Sequence, residues 1–70
     1  MSTEQYLVRK YGPLMTLSQV AELFDRSPDG LRFTIRQDSD LGRRLSAEKK
    51  KLGRRVYFLA VGVARLIDES

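Results

Sequence analysis

The 70-residue sequence contains no cysteine and no histidine. Both absences are restrictive: there is no disulfide framework, no thiol nucleophile, no soft-metal site and no imidazole to act as a base near neutral pH. A long hydrophobic run is missing too, because the longest apolar stretch, Val56 to Val61, is far too short to span a bilayer. The opening residues MSTEQY carry neither a basic n-region nor an apolar h-region, so no secretory signal and a cytoplasmic location are expected. At this length the chain reads as a single domain, 1–70, near the lower size limit for a self-sufficient core and without room for a deep cleft. Carboxylates and lysines remain for chemistry, but so small a domain rarely excludes water well enough to shift their pKa values far. The expectation is a non-enzyme with no cofactor, no metal, no small-molecule ligand and no membrane association.

Positive charge is present in excess, and it is unevenly placed. The chain carries 13 Lys and Arg against 9 Asp and Glu, a formal charge of +4. From Arg43 to Arg55 there are seven basic residues and one acid, Glu48, so this segment alone carries +6 and the remainder −2. Such asymmetry is the electrostatic footprint of a nucleic-acid or anionic-surface binder.

Start and stop signals divide the first half of the chain. Ser2 with Gln5 is a capping-box pair and Gly12-Pro13 a stop, which predicts a helix over Thr3 to Tyr11 with Leu7 and Tyr11 facing a core, followed by Leu14. Thr16 with Gln19 repeats the signature, and Leu17, Val20, Ala21, Leu23 and Phe24 behind it predict a second helix to about Phe24. After a break at Asp25-Arg26, Ser27-Pro28-Asp29 supplies an N-cap, a first-turn proline and a first-turn acid, so a third helix runs from Pro28 to about Gln37. Its Leu31 and Ile35 should face inward and Arg32 and Arg36 outward, each pair four apart. Gly30 weakens it, either to let another backbone approach or as a tolerated imperfection. Between Asp38 and Lys51 the pattern is open: Leu41, Leu45 and Leu52 allow one or two helical turns around Leu41 to Lys49, or an irregular loop. Lys50 to Leu52 and Val56 to Leu59 flank Gly53-Arg54-Arg55 and predict a β-hairpin, with Val56 and Phe58 inward and Tyr57 outward. Val63, Leu66 and Ile67 then make a short closing helix from Ala60 or Val61.

Two short helices joined by a tight break, the second Ser-capped and arginine-bearing, have the layout of a helix-turn-helix. A helix fits the major groove, its first N–H groups attract phosphate, and arginine can donate two bonds to guanine. The candidate readers are Ser27, Asp29, Arg32 and Arg36. A hairpin after such a helix is a wing, and its Gly-Arg-Arg turn places Arg54 and Arg55 toward phosphates or a narrow minor groove, with Lys49, Lys50 and Lys51 adding backbone attraction.

The stretches LMTLSQVAELFDRS and LGRRVYFLAVGVARLI resemble the two halves of the excisionase-like winged helix-turn-helix domains, relatives of the DNA-binding domain of MerR-type regulators. Val20-Ala21-Glu22-Leu23-Phe24 and Ser27 match the first half; Leu52-Gly53-Arg54-Arg55, Phe58 and Val63 match the second, and the likeness runs from Met15 to Ile67. The resemblance implies a mainly helical fold with a small hairpin: helix, helix-turn-helix, wing, closing helix. It implies sequence-directed binding of double-stranded DNA by a transcription regulator or a recombination directionality factor of a mobile element. Departures from the family pattern are Asp25 at a usual turn glycine, Pro28 and Gly30 in the recognition helix, and a longer connection over Asp38 to Lys51.

A protein-interaction module, an antirepressor or accessory subunit that docks an acidic partner on the basic segment, is the alternative. RNA ranks lower, because three Tyr and three Phe are mostly claimed by the core and leave no stacking platform. For partners beyond DNA, a second copy of the chain or a recombinase fits this reading, with Tyr6 and Val8 left over from the core to make a small contact.

Overall fold

The computed structural model describes residues 1–69. Five helices and a three-stranded antiparallel sheet follow in the order α1 (Thr3–Tyr11), β1 (Leu14–Thr16), α2 (Leu17–Leu23), α3 (Pro28–Arg36), α4 (Asp40–Ala47), β2 (Lys49–Leu52), β3 (Arg55–Leu59) and α5 (Ala60–Glu69). The fold is thus mainly helical with a small sheet.

Capping chemistry sets most of the helix starts. Ser2 and Thr16 each form both bonds of a capping box, with Gln5 and Gln19, and Ser27 Oγ accepts from the Gly30 N–H at 3.0 Å. The segment after α3, open between helix and loop in the sequence, is helical. Ser39 caps α4 by accepting from the Gly42 N–H at 3.1 Å, and Asp40 stands in its first turn. Leu41 and Leu45, one turn apart, face the core, Leu45 fully buried. A Cβ on Gly42 would stand 2.4 Å from the carbonyl oxygen of Thr34 and 2.9 Å from that of Gln37. This position lets α4 lie directly against the end of α3. Gly30 has no such neighbour: only its own cap, Ser27 Oγ, comes within 4 Å of a Cβ there, at 3.0 Å. Its glycine is a tolerated imperfection.

The break between α2 and α3 is a Schellman turn. Asp25 has φ 56°, its N–H bonds to the carbonyl of Glu22, and the Arg26 N–H bonds to that of Ala21 at 2.8 Å. A left-handed residue with a Cβ is disfavoured, and aspartate tolerates it better than most. Asp25→Gly is therefore expected to stabilise the fold by about 1 kcal/mol, read as a higher urea midpoint with an unchanged slope. A lower midpoint would show instead that the Asp25 carboxylate makes a stabilising contact.

The sheet corrects the expectation of a lone hairpin. Its strand order is β1-β3-β2, so the strand expected at the hairpin's edge is central, with Leu14, Met15 and Thr16 opposite Leu59, Phe58 and Tyr57. Three residues are too few for alternation to show, and Thr16 doubles as the cap of α2. Tyr57, expected outside, is half-buried because Thr16 and Lys50 flank it on the two neighbouring strands. Gly53, at φ 64°, is the first residue of the two-residue turn between β2 and β3, where positive φ matches the strand twist.

Met15 and Phe58, cross-strand partners, sit at the centre of the core with Leu7, Val20, Leu31, Leu45 and Val63. α1 lies along α5, whose first turns are lined by Ala60, Gly62, Val63 and Ala64, and Thr3 Oγ1 donates to Asp68 at 2.7 Å to tie the helix ends together. No helix among the described residues is long and apolar enough to cross a membrane.

Candidate nucleic-acid interface

Strand alternation sorts the hairpin's cations. Pairing of Lys49 with Phe58 and Lys51 with Val56 puts these four on one face of the sheet; Lys50, Leu52, Arg55 and Tyr57 lie on the other. The first face turns toward α3. Between them lies a groove of about 410 Å³ lined by Leu17, Ile35, Val56 and Phe58 below and by Arg32, Arg36, Lys49 and Arg54 above. The apolar group is buried or half-buried and the four cations are exposed, so the groove has a hydrophobic floor and a positive rim.

No carboxylate belongs to this lining. Asp29 is paired to Arg32 on the rim, and three other acids, Glu48, Asp38 and Glu69, are engaged away from the groove. Glu48, the one acid of the basic segment, fills the space that a Cβ on Gly62 would take, in the first turn of α5, where the helix dipole favours negative charge. Asp38 accepts from Arg43 at 2.6 Å, and Glu69 accepts from Arg44. These two pairs change the electrostatic picture drawn from the sequence. The run from Arg43 to Arg55 is two groups, since Arg43 and Arg44 on α4 are matched by carboxylates from outside it. Among the described residues, Arg36, Lys49, Lys50, Lys51, Arg54 and Arg55 form no ion pair.

Each residue singled out in the sequence now has a place. Ser27 is the cap of α3, its hydroxyl engaged by Gly30. Asp29 accepts from Arg32 at 2.9 Å, with 95% and 56% of the two side chains exposed. A pair this exposed is worth about 0–1 kcal/mol, so a stronger anion can draw the guanidinium away. Arg32, Arg36, Lys49 and Arg54 converge on the groove; Lys51 shares the Lys49 face; Lys50 and Arg55 stand on the reverse. Arg54 and Arg55, grouped in the sequence reading, are thus divided: Arg54, in the turn, lines the groove, and Arg55, at the start of β3, lies on the reverse face. Behind α3, the Arg26 guanidinium donates to Thr34 Oγ1 at 3.1 Å, and that hydroxyl donates to the Gly30 carbonyl at 3.1 Å. The bond anchors the turn to the buried side of α3.

No family model, curated protein or solved structure matches this chain. The chemistry of the groove therefore rests on its own residues. Among the described residues no cluster of three or more His, Cys, Asp or Glu side chains is placed to hold a metal. Lys10 has its ammonium within 5.7 Å of the Tyr6 ring centre and 5.3 Å of that of Tyr11, and hydrogen bonding with the Tyr6 and then the Tyr11 hydroxyl raises its pKa. It belongs to α1, outside the groove.

Sequence reasoning misses two parts of this surface. The floor residues Leu17 and Ile35 read only as core, and nothing singles out Phe33 except that it lies off the Leu31–Ile35 stripe. It is 64% exposed on the outer side of α3.

Proposed function

We propose that this chain is a winged helix-turn-helix protein that binds double-stranded DNA. In this reading α2 and α3 are the helix-turn-helix, α3 enters the major groove, and the β2–β3 hairpin is the wing. The observation that carries it is the groove rim: four exposed cations drawn from α3 and the hairpin, with no acid in the lining and a single exposed partner, Asp29 on Arg32. A polyanion with charges spaced along a curved surface suits such a rim, because counterion release rewards each phosphate neutralised. An α-helix with its side chains is about 10–12 Å across, which matches the roughly 12 Å width of the major groove.

The resemblance of Val20 to Phe24 with Ser27, and of Leu52 to Arg55 with Phe58 and Val63, to excisionase-like and MerR-type domains supports the same reading. It adds the biological role: regulation of transcription, or direction of recombination, in a mobile element. The left-handed Asp25 occupies the conformation that a turn glycine would take, so its substitution leaves the turn in place.

Fluorescence anisotropy with labelled mixed-sequence duplexes at low salt tests the proposal. Binding is expected, and its absence would overturn the reading and leave the acidic-protein partner. Comparison of Arg54→Ala with Arg55→Ala probes the geometry. Arg54→Ala is expected to weaken binding by about tenfold, the low end for a charge-assisted contact, and to flatten the salt dependence by about 0.9. Arg55→Ala, on the reverse face, should change affinity by less than about threefold, the size of an exposed charge effect. Equal losses would mean that the hairpin meets DNA edge-on.

A further inference from the structure

Phe33 is an aromatic ring set among charges. On a helix advancing 100° per residue, Asp29, Arg32, Phe33 and Arg36 fall within an arc of about 100°, opposite the buried Leu31 and Thr34. Its neighbours on this face are polar, so no contiguous apolar patch of the kind that docks a protein surrounds it. The exposed apolar side chain of the hairpin, Leu52, stands on its reverse face, away from the groove. A lone ring at the edge of an arginine-bearing face matches a partner whose surface is anionic overall but carries isolated methyl groups.

The edge of duplex DNA in the major groove fits that description. There, the thymine C5-methyl is the one apolar feature among hydrogen-bonding groups and flanking phosphates. We infer that Phe33 is a specificity-determining residue that packs on a thymine methyl while Arg32 and Arg36 hold the neighbouring polar groups. The inference rests on the reading of α3 as the element in the major groove, and it gives the arginine-bearing face an apolar contact that polar side chains cannot make. Phe33 is 64% exposed, so its truncation leaves the core untouched.

The test begins with selection of bound sequences from a random duplex pool using the whole chain. Each thymine of the enriched site is then replaced singly by deoxyuridine, which removes the methyl and keeps every hydrogen-bonding group. At one thymine the wild-type protein is expected to bind about fourfold more weakly, the affinity equivalent of one buried methyl. Phe33→Ala, checked for an unchanged melting curve, should bind the thymine and deoxyuridine duplexes equally well. An enriched site at which no deoxyuridine replacement weakens binding overturns the assignment of Phe33 alone. So does a Phe33→Ala protein that keeps the wild-type ratio between the two duplexes. Failure to enrich any duplex removes the DNA-binding reading and this inference with it.

Discussion

Simultaneous replacement of Arg32, Arg36 and Arg54 by alanine is expected to cost about a thousandfold in duplex affinity, at about tenfold for each charge-assisted hydrogen bond removed. These three side chains reach one groove from two elements, so their removal leaves only Lys49 on the positive rim. The variant should stay folded. Among the described residues Arg36 and Arg54 have no ion pair to break, and Arg32 gives up only its exposed bond to Asp29. The salt dependence separates their roles: the slope should fall by about 0.9 for each of the three that meets a phosphate and stay unchanged for one that reads a base. Single changes at Arg32 or Arg36 should then relax preference at one base pair, whereas Arg54→Ala lowers all affinities alike. Affinity within about threefold of wild type for the triple variant, well below the effect of one charge-assisted bond, would show that the groove is not where a polyanion binds.

Gly42→Ala is expected to be strongly destabilising, because the added methyl meets backbone and not a side chain that can swing away. The added Cβ would stand 2.4 Å from the Thr34 carbonyl oxygen, so α3 and α4 would have to part. Overpacking against backbone costs about 3 kcal/mol or more, and the gain of up to about 1 kcal/mol in helix propensity does not offset it. For a domain of this size a net loss of about 2–3 kcal/mol lowers the melting temperature by roughly 10–20 °C. Gly30→Ala is the matched control. There the methyl meets only the Ser27 hydroxyl, a rotatable group, and the melting temperature should move by no more than a few degrees, about 1 kcal/mol or less. Thermal melts followed by circular dichroism decide the matter, and a Gly42→Ala protein as stable as Gly30→Ala would refute the close approach.

These two glycines also show what can be read from a sequence. Both look like weak points in a helical pattern, and their difference lies in carbonyl oxygens of a neighbouring turn. The helices are legible because their signals are local: Ser2 with Gln5, Thr16 with Gln19, and Ser27-Pro28-Asp29 need only three or four adjacent residues. The hairpin is legible for the same reason, through Gly53 at its turn. The first strand is not, because Leu14 to Thr16 is defined by a partner strand more than forty residues on.

The candidate site divides along the same line. Arg32 and Arg36 go together by their spacing on one helix. That they share a groove with Lys49 and Arg54, but not with Arg55, follows from the packing of the hairpin on α3. Local counting assigns the run from Arg43 to Arg55 its charge of +6 and cannot include Asp38 and Glu69, which lie outside that run and match Arg43 and Arg44.

For the proposed DNA binding, the short first strand bears on the kinetics. A two-stranded ribbon is marginal by itself, and a free one would have to be immobilised at every encounter with its target. With Met15 locked opposite Phe58 and Thr16 beginning α2, the hairpin is a cantilever clamped along its inner edge and joined through one residue to the helix pair. Its ordering entropy is met during folding, and in the proposed reading the distance from its tip to α3 would be a fixed gauge against which a duplex either fits or must bend.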